Sequence, residues 1–243
     1  MKNNIKNLNS TNIISLGLLY EVLDKTGLFE YLELIDSKNV PIIKGVLRST
    51  KINFDISIFQ ENGVEMRNIF LKILSIHKEI KPLFLLIKYM LQQRNLTSTY
   101  TGGVNSLIIL SLLYYYIIYA IKIEKIKKQK LEKYENILTL GNLLIGFLNF
   151  YGYEFNYKEL GISITNGCSL YKRDKMYNNI LSIKNCLDNK DMGIKCYNYY
   201  NVIKVFKYAY KNLIYYKSPI ISFLNTFIEE DELLKARINK VYN

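Results

Sequence analysis

Between Ile52 and Phe59 the chain alternates strictly: Ile52, Phe54, Ile56 and Ile58 are apolar, and Asn53, Asp55 and Ser57 between them are polar. Successive strand residues point to opposite faces, so the pattern predicts a half-buried strand with Asp55 on its polar face. Two strand candidates precede it: the β-branched run Val40–Val46, and Phe29–Leu34, which suits strand or helix equally. From Gly63 onward the period becomes helical. Predicted helices run over Val64–His77, Lys81–Gln93, Val104–Gln129, Leu131–Tyr151, Tyr199–Lys217 and Ile221–Val241. Pro82 fits the first turn of its helix and Pro219 separates the last two. A first helix is expected over Thr11–Lys25, with Asn9, Ser10 or Thr11 as cap and Gly27 as stop. Gly152–Lys195 is irregular apart from a strand-like Gly161–Thr165. The expected class is α+β, a small α/β piece up to about residue 60 followed by a mainly helical domain.

A chain of 243 residues with 49% hydrophobic and 22% charged residues can bury a sizeable core and is not a disordered polymer. The formal charge of +12 favours a polyanionic partner, because clustered lysines release counterions from phosphates; a solvated lysine surface is the alternative. Abundant Lys, Asn, Ile and Tyr, without Trp, match coding in an AT-rich genome, so the 22 Tyr alone are a weak sign of base stacking. Cys168, Cys186 and Cys196 are odd in number and form no CxxC pair, which argues against a disulfide framework or zinc site and fits a reducing compartment, nuclear or cytoplasmic. The opening MKNNIKNLNSTN has no apolar core and does not read as a signal peptide. Leu107–Ile123 is almost wholly apolar, but its uninterrupted part ends at Ile121, short of a span of roughly 20 residues. A buried helix is expected there, and no membrane partner.

Five short landmarks follow one another in the first half: VPIIK (40–44), FDIS (54–57), ENGV (61–64), PLFLLIKYMLQQRNL (82–96) and YTGGVNS (100–106). LGNLLIGFLNFYGYEFNY (140–157), GISITNG (161–167) and CLDNKDMGIKCYNYYNVIKVFKYAY (186–210) continue the series. In order and spacing this resembles the noncanonical poly(A) polymerases, the RNA-tailing branch of the polymerase-β-like nucleotidyltransferases that includes the TRAMP-type enzymes. The resemblance covers about residues 12–216. It implies a partial nucleotidyltransferase sheet over 1–62, a helical central, poly(A)-polymerase-associated domain with its nucleotide-recognition loop over 63–220, and a C-terminal helix over 221–243.

The resemblance also assigns roles. Asp55 in FDIS matches the third carboxylate that holds Mg²⁺ (or Mn²⁺) in a chemistry needing clustered carboxylates and two ions about 4 Å apart. The family carries the other two in a D-x-D after a Gly-Ser turn; residues 1–39 contain neither, so the chain is expected to be N-terminally truncated. Lys88, alone in an apolar run, matches the lysine that reaches the triphosphate; a lysine snorkelling from the core's edge is the bland reading. Asn62 and Asn68 match positions touching the nucleotide sugar, Ser106 matches the second serine of a G-G-x-S-S-Y turn, and Asp191 lies in the recognition loop. Departures from the pattern are Asn105 for the first serine, Leu107 for a base-stacking tyrosine, Gln92 for a second basic residue, and Lys190 and Ile194 for an Asn and an Arg. The lone His77 lies far in sequence from the loop where uridylating relatives often carry one, which tilts the nucleotide towards ATP.

The implied activity is template-independent addition of nucleotides from ATP to RNA 3′ ends, with RNA, a nucleoside triphosphate and RNA-surveillance proteins as partners. By itself this chain is expected to polymerise little. The alternative is a degenerate, non-catalytic RNA-binding or scaffold protein of the same family, which the substitutions Leu107, Lys190 and Ile194 favour.

Overall fold

In a computed structural model the described residues are 2–36, 40–58, 61–129, 138–174, 179–215, 222–229 and 231, with side chains described from residue 13. They fall into two compact units, residues 1–65 with 231–243, and residues 66–230.

In the first unit, helix α1 (Lys2–Asp24) precedes an antiparallel sheet of β1 (Phe29–Ile35), β2 (Ile42–Leu47) and β3 (Asn53–Ile56) in that order. The helix begins at Lys2 and runs straight through Asn9, Ser10 and Thr11, which were expected to cap it. Thr26 closes its end through a hydroxyl bond to the Leu23 carbonyl (2.6 Å), and Gly27 takes the left-handed conformation (φ 64°). Leu16 and Ile43 are fully buried, while Ile14, Leu18 and Val22 line an exposed side of the helix. The expected alternation holds from Asn53 to Ile58: Phe54, Ile56 and Ile58 are half-buried, and Asn53, Asp55 and Ser57 are exposed, whereas Ile52, before β3 begins, is exposed as well. Gly45 is required by this packing, because a β-carbon there would meet the Phe54 ring at 2.5 Å.

Helix α2 (Glu61–Ile76) leads into the second unit, built on α3 (Ile80–Gln92), α4 (Ser106–Gln129), α5 (Leu140–Asn149) and α6 (Tyr199–Tyr215). A second small sheet, ordered β5-β4-β6, pairs β4 (Leu160–Ser163) antiparallel to β5 (Ser169–Lys172) and parallel to β6 (Ile183–Lys184). β4 answers the strand-like Gly161–Thr165; β5 and β6 are too short to leave a period in the sequence. α5 was expected to start at Leu131. It starts at Leu140, where the Thr139 hydroxyl accepts from the Asn142 N–H (3.3 Å); residues 131–137 lie outside the described residues. It passes into one π-helical turn over Phe150–Glu154. Of the helix expected over Ile221–Val241, most lies outside the described residues, and Phe223–Thr226 form a short 3-10 turn.

α4 is the central helix of this unit. By length and composition its stretch Ser106–Lys128 is apolar enough to cross a membrane, but half of that window is buried within the protein. Ile108, Ile109, Leu112, Leu113 and Ile117 lie in the core, and α4 packs against α3 and α5. Its tyrosines belong to an aromatic cluster. Tyr116 meets Phe147 edge-on (5.8 Å), the Tyr151 hydroxyl donates to the Leu112 carbonyl (2.8 Å), and the Tyr157 hydroxyl donates to the Tyr151 carbonyl (2.7 Å). Buried aromatic rings contribute large apolar areas, and the Tyr151 and Tyr157 hydroxyls each have a carbonyl acceptor.

Candidate nucleotide site

The turn between α3 and α4 is shaped by its own residues. Asn95 ends α3 in the left-handed conformation (φ 56°), letting the Leu96 N–H reach back to the Leu91 carbonyl (3.0 Å), the arrangement of a Schellman cap. Arg94 donates to the carbonyls of Met90 and Phe227, both at 2.8 Å, and Gln93 pairs with the backbone of Glu229. The basic residue at the helix end is therefore a clamp on the segment after Ser222.

Both glycines of YTGGVNS answer close approaches within the protein. Gly102 (φ 78°) lies under the Tyr197 ring, and Gly103 lies against the Leu96 carbonyl, leaving no room for a β-carbon at either. The Asn198 N–H bonds the Gly102 carbonyl (2.9 Å), and the Tyr197 hydroxyl donates to that of Tyr100 (2.9 Å). Asn105, the substitute for a serine, caps α4: its Oδ1 accepts from the Ile108 N–H at 3.0 Å. Ser106 and Leu107 then open the helix, and their N–H groups have no intrahelical carbonyl to reach. Such a terminus favours an anion.

Lys88 is half-buried on α3, one turn before exposed Gln92, with its Nζ 5.7 Å from the centre of the Phe84 ring. It lies in the next-to-last turn of α3, which ends at Gln92. Asn68 is exposed on α2; the Asn62 side chain lies outside the described residues.

Asp191 has a task that the sequence did not disclose. One carboxylate oxygen accepts from the backbone N–H of Ile183 (2.9 Å) and Gly193 (2.8 Å); the other accepts from the Ser182 hydroxyl (2.6 Å) and the Asn179 amide (3.2 Å). It thereby ties the loop to β6. Gly193 is held tightly against the Leu181 carbonyl. Nearby, a cavity of about 520 Å³ is lined by Tyr171, Lys172, Ser182, Lys184, Lys190 and Ile194, among others, with Lys184 Nζ over the Tyr171 ring at 4.2 Å. Lys190 is drawn to Asp188 (2.8 Å), and Ile194 is exposed. Arg173, buried beside this sheet, donates to the carbonyls of Tyr157 and Ile180 and to Asn179.

Asp55 lies in the first unit, on the exposed face of β3, directly across from Lys44, which is itself opposite Glu33 on β1. A lysine between two carboxylates competes with a cation for them. Among the described residues no group of three His, Cys, Asp or Glu side chains could hold a metal ion. The described residues therefore do not make a divalent-ion site by themselves. Two of the three thiols are poorly suited to nucleophilic work, since burial pushes Cys168 and Cys196 up to about 12, and His77 pairs with Glu79 (3.4 Å) beside the Tyr114 ring.

The fold is that of the polymerase-β-like nucleotidyltransferases. The chain aligns over 89% of its length, and 71% of the other chain, with the polymerase core of TRAMP, an RNA surveillance complex (TM-score 0.76, 22% identity). It aligns over 89% of its length, and 76% of the other chain, with the Cid1 poly(U) polymerase bound to Mg 3′-dATP (TM-score 0.69, 20% identity). Residues 139–195 match the family described as Cid1 family poly A polymerase. The poly(A) RNA polymerase gld-4 of Caenorhabditis elegans is 31% identical over 185 residues, 72% of this chain and 21% of the relative. Poly(A) RNA polymerase protein 1 of Saccharomyces cerevisiae is 31% identical over 156 residues, 63% of this chain and 23% of the relative. Residues 139–195 thus carry the module of that family, and the relatives that the chain resembles over most of its own length are noncanonical poly(A) polymerases. It spans about a fifth of the length of the curated relatives it matches.

Proposed function

We propose that this chain is the nucleotide-holding part of a template-independent RNA 3′-end nucleotidyltransferase whose substrates are ATP and an RNA 3′ hydroxyl. In that reaction the hydroxyl oxygen attacks the α-phosphate and pyrophosphate leaves. What supports the reading is that Lys88 lies late in α3 and the Asn105-capped start of α4 at Ser106 follows the same connection, two positive features on either side of it in the chain. A compact ammonium and free helix N–H groups suit the oxygens of a triphosphate. Asn62 and Asn68 would meet the sugar, and the loop held by Asp191 would meet the base. The names of the curated relatives support ATP, as does a recognition loop without histidine. Mg²⁺ or Mn²⁺ would have Asp55 as one ligand, and the described residues alone do not enclose an ion.

A second reading is favoured by that same carboxylate shortage and by Lys44 opposite Asp55: a non-catalytic member that binds nucleotide or RNA. Calorimetry with ATP separates the two from a pure scaffold. The proposed site gives measurable binding that Lys88→Ala weakens by about tenfold or more, the scale of one charge-assisted contact. Absence of ATP binding by the folded protein overturns the nucleotide site. Incubating labelled oligo(A) with the 243-residue chain, ATP and Mg²⁺ or Mn²⁺ is expected to give little or no extension. Efficient tailing would show that its own carboxylates suffice.

A further inference from the structure

α6 is sharply two-sided. Val202, Ile203, Phe206, Ala209 and Leu213 are buried in the core. At 3.6 residues per turn each residue advances about 100°, which places Tyr200, Lys204, Lys207, Tyr208, Lys211 and Tyr215 within an arc of about 100° on the other side. That side is open: Tyr200 is 57% exposed, Tyr208 52% and Tyr215 74%. The helix has no Asp or Glu. Two of its lysines rest on rings, Lys204 over Tyr200 (4.6 Å) and Lys207 over Tyr153 (5.0 Å). Just before the helix in sequence stands Tyr197, 68% exposed, and hydrogen-bonded to its hydroxyl is Tyr100, 94% exposed and the most open large apolar side chain among the described residues. Their backbone is fixed by the Tyr197–Tyr100 hydrogen bond and by Gly102. These aromatic faces are presented by rigid backbone, so little order must be created on binding.

We infer that the outer face of α6, with Tyr197 and Tyr100 at its head, is a binding track for single-stranded RNA. Tyrosine faces stack on bases without regard to sequence, and lysines one turn apart follow the phosphates. The interleaving decides the class of partner: protein interfaces enrich Tyr but deplete Lys, whereas a polyanion uses both, and the chain carries +12. With 17 residues at about 1.5 Å each, the helix offers a track of about 25 Å, enough for several nucleotides. Rings already paired with lysines also offer cation–π contacts. The inference deepens the RNA-tailing reading and rests on it for the choice of polymer.

Fluorescence anisotropy with labelled oligo(A) of about 16 nucleotides, without ATP or metal, tests it. Tyr200→Ala is expected to weaken binding by about tenfold, the scale of one lost stacked base, with Tyr200→Phe close to wild type. Replacing Lys204, Lys207 and Lys211 together by Gln is expected to lower the salt slope by about 2, three phosphates at about 0.7 each. Circular dichroism confirms that the variants are folded. Cross-linking of the wild-type chain to oligo(A) carrying one 4-thiouridine needs no variant, and is expected to label peptides from α6. Unchanged affinity and slope in folded variants, cross-links confined to other segments, or a requirement for this face only in binding a protein would each overturn the inference. Loss of ATP binding with the RNA track intact would instead overturn the nucleotide site alone.

Discussion

The ring of Tyr197 packs so closely on Gly102 that a β-carbon there would meet it at 2.5 Å, and two loops nearly a hundred residues apart in sequence thereby share one packed contact. The Tyr197 hydroxyl and the Asn198 N–H fasten the same two loops from either side. The turn that starts α4 and the turn that starts α6 are therefore a single structure. Whatever binds at the α4 terminus meets a backbone braced by the recognition-loop side.

Gly102→Ala should accordingly destabilise the protein by about 2 kcal/mol or more, because it adds both left-handed strain and a clash. A β-carbon would come within 2.5 Å of the Tyr197 ring, at a φ of 78°. Gly141→Ala, in a helix with nothing within 4 Å, should fall within about 1 kcal/mol of wild type. Urea unfolding of the two variants measures the contrast. Equal stability of both would show that Tyr197 moves aside at no cost.

The strand was legible because a period of two is written in side-chain polarity, and burial follows it from Asn53 to Ile58, with Ile52 alone exposed against the pattern. The helices α2, α3, α4 and α6 were legible for the corresponding reason, with ends off by a few residues. α1 was read as starting late because Asn9, Ser10 and Thr11 carry the local signature of a cap that the helix does not use. β5 and β6 exist by pairing with β4, a long-range interaction with no local signal. At the site, Lys88 stood out as a charge in an apolar run, whereas Asn105 read only as a departure from the expected serine, and its capping bond to the Ile108 N–H is a finding of the structure. The role of Asp191 was hidden: its donors come from Asn179, Ser182, Ile183 and Gly193, and only folding brings them together.

Asp191→Ala removes the acceptor of two backbone N–H groups and two side-chain donors at once, and should cost about 3 kcal/mol. Asp191→Asn keeps one oxygen for the two backbone groups but turns an amide towards the Asn179 donor, so it should cost less. A binding-only role would lower ATP affinity in Asp191→Ala with no change in thermal midpoint. A fall in both, with the midpoint partly restored in Asp191→Asn, is expected.

The buried tyrosines set an alkaline limit on stability. Desolvation pushes Tyr115 and Tyr116 up to about 12, raises Tyr157 further, and raises Tyr151 and Tyr199 well above their ordinary value. In the unfolded chain these phenols ionise near 10, so above that pH the folded state holds more protons than the unfolded one. Their contribution is complete below about pH 10 and is lost as pH rises through the folded values. Stability should therefore be insensitive to these groups at neutral pH and decline steeply from about pH 10 to 12. Tyrosinate absorbance should rise in two stages. The Tyr151–Tyr157–Tyr199 group should ionise only in the later stage, as circular dichroism reports unfolding. Ionisation of every tyrosine in one step near pH 10, with the helical signal intact, would contradict the burial of that group.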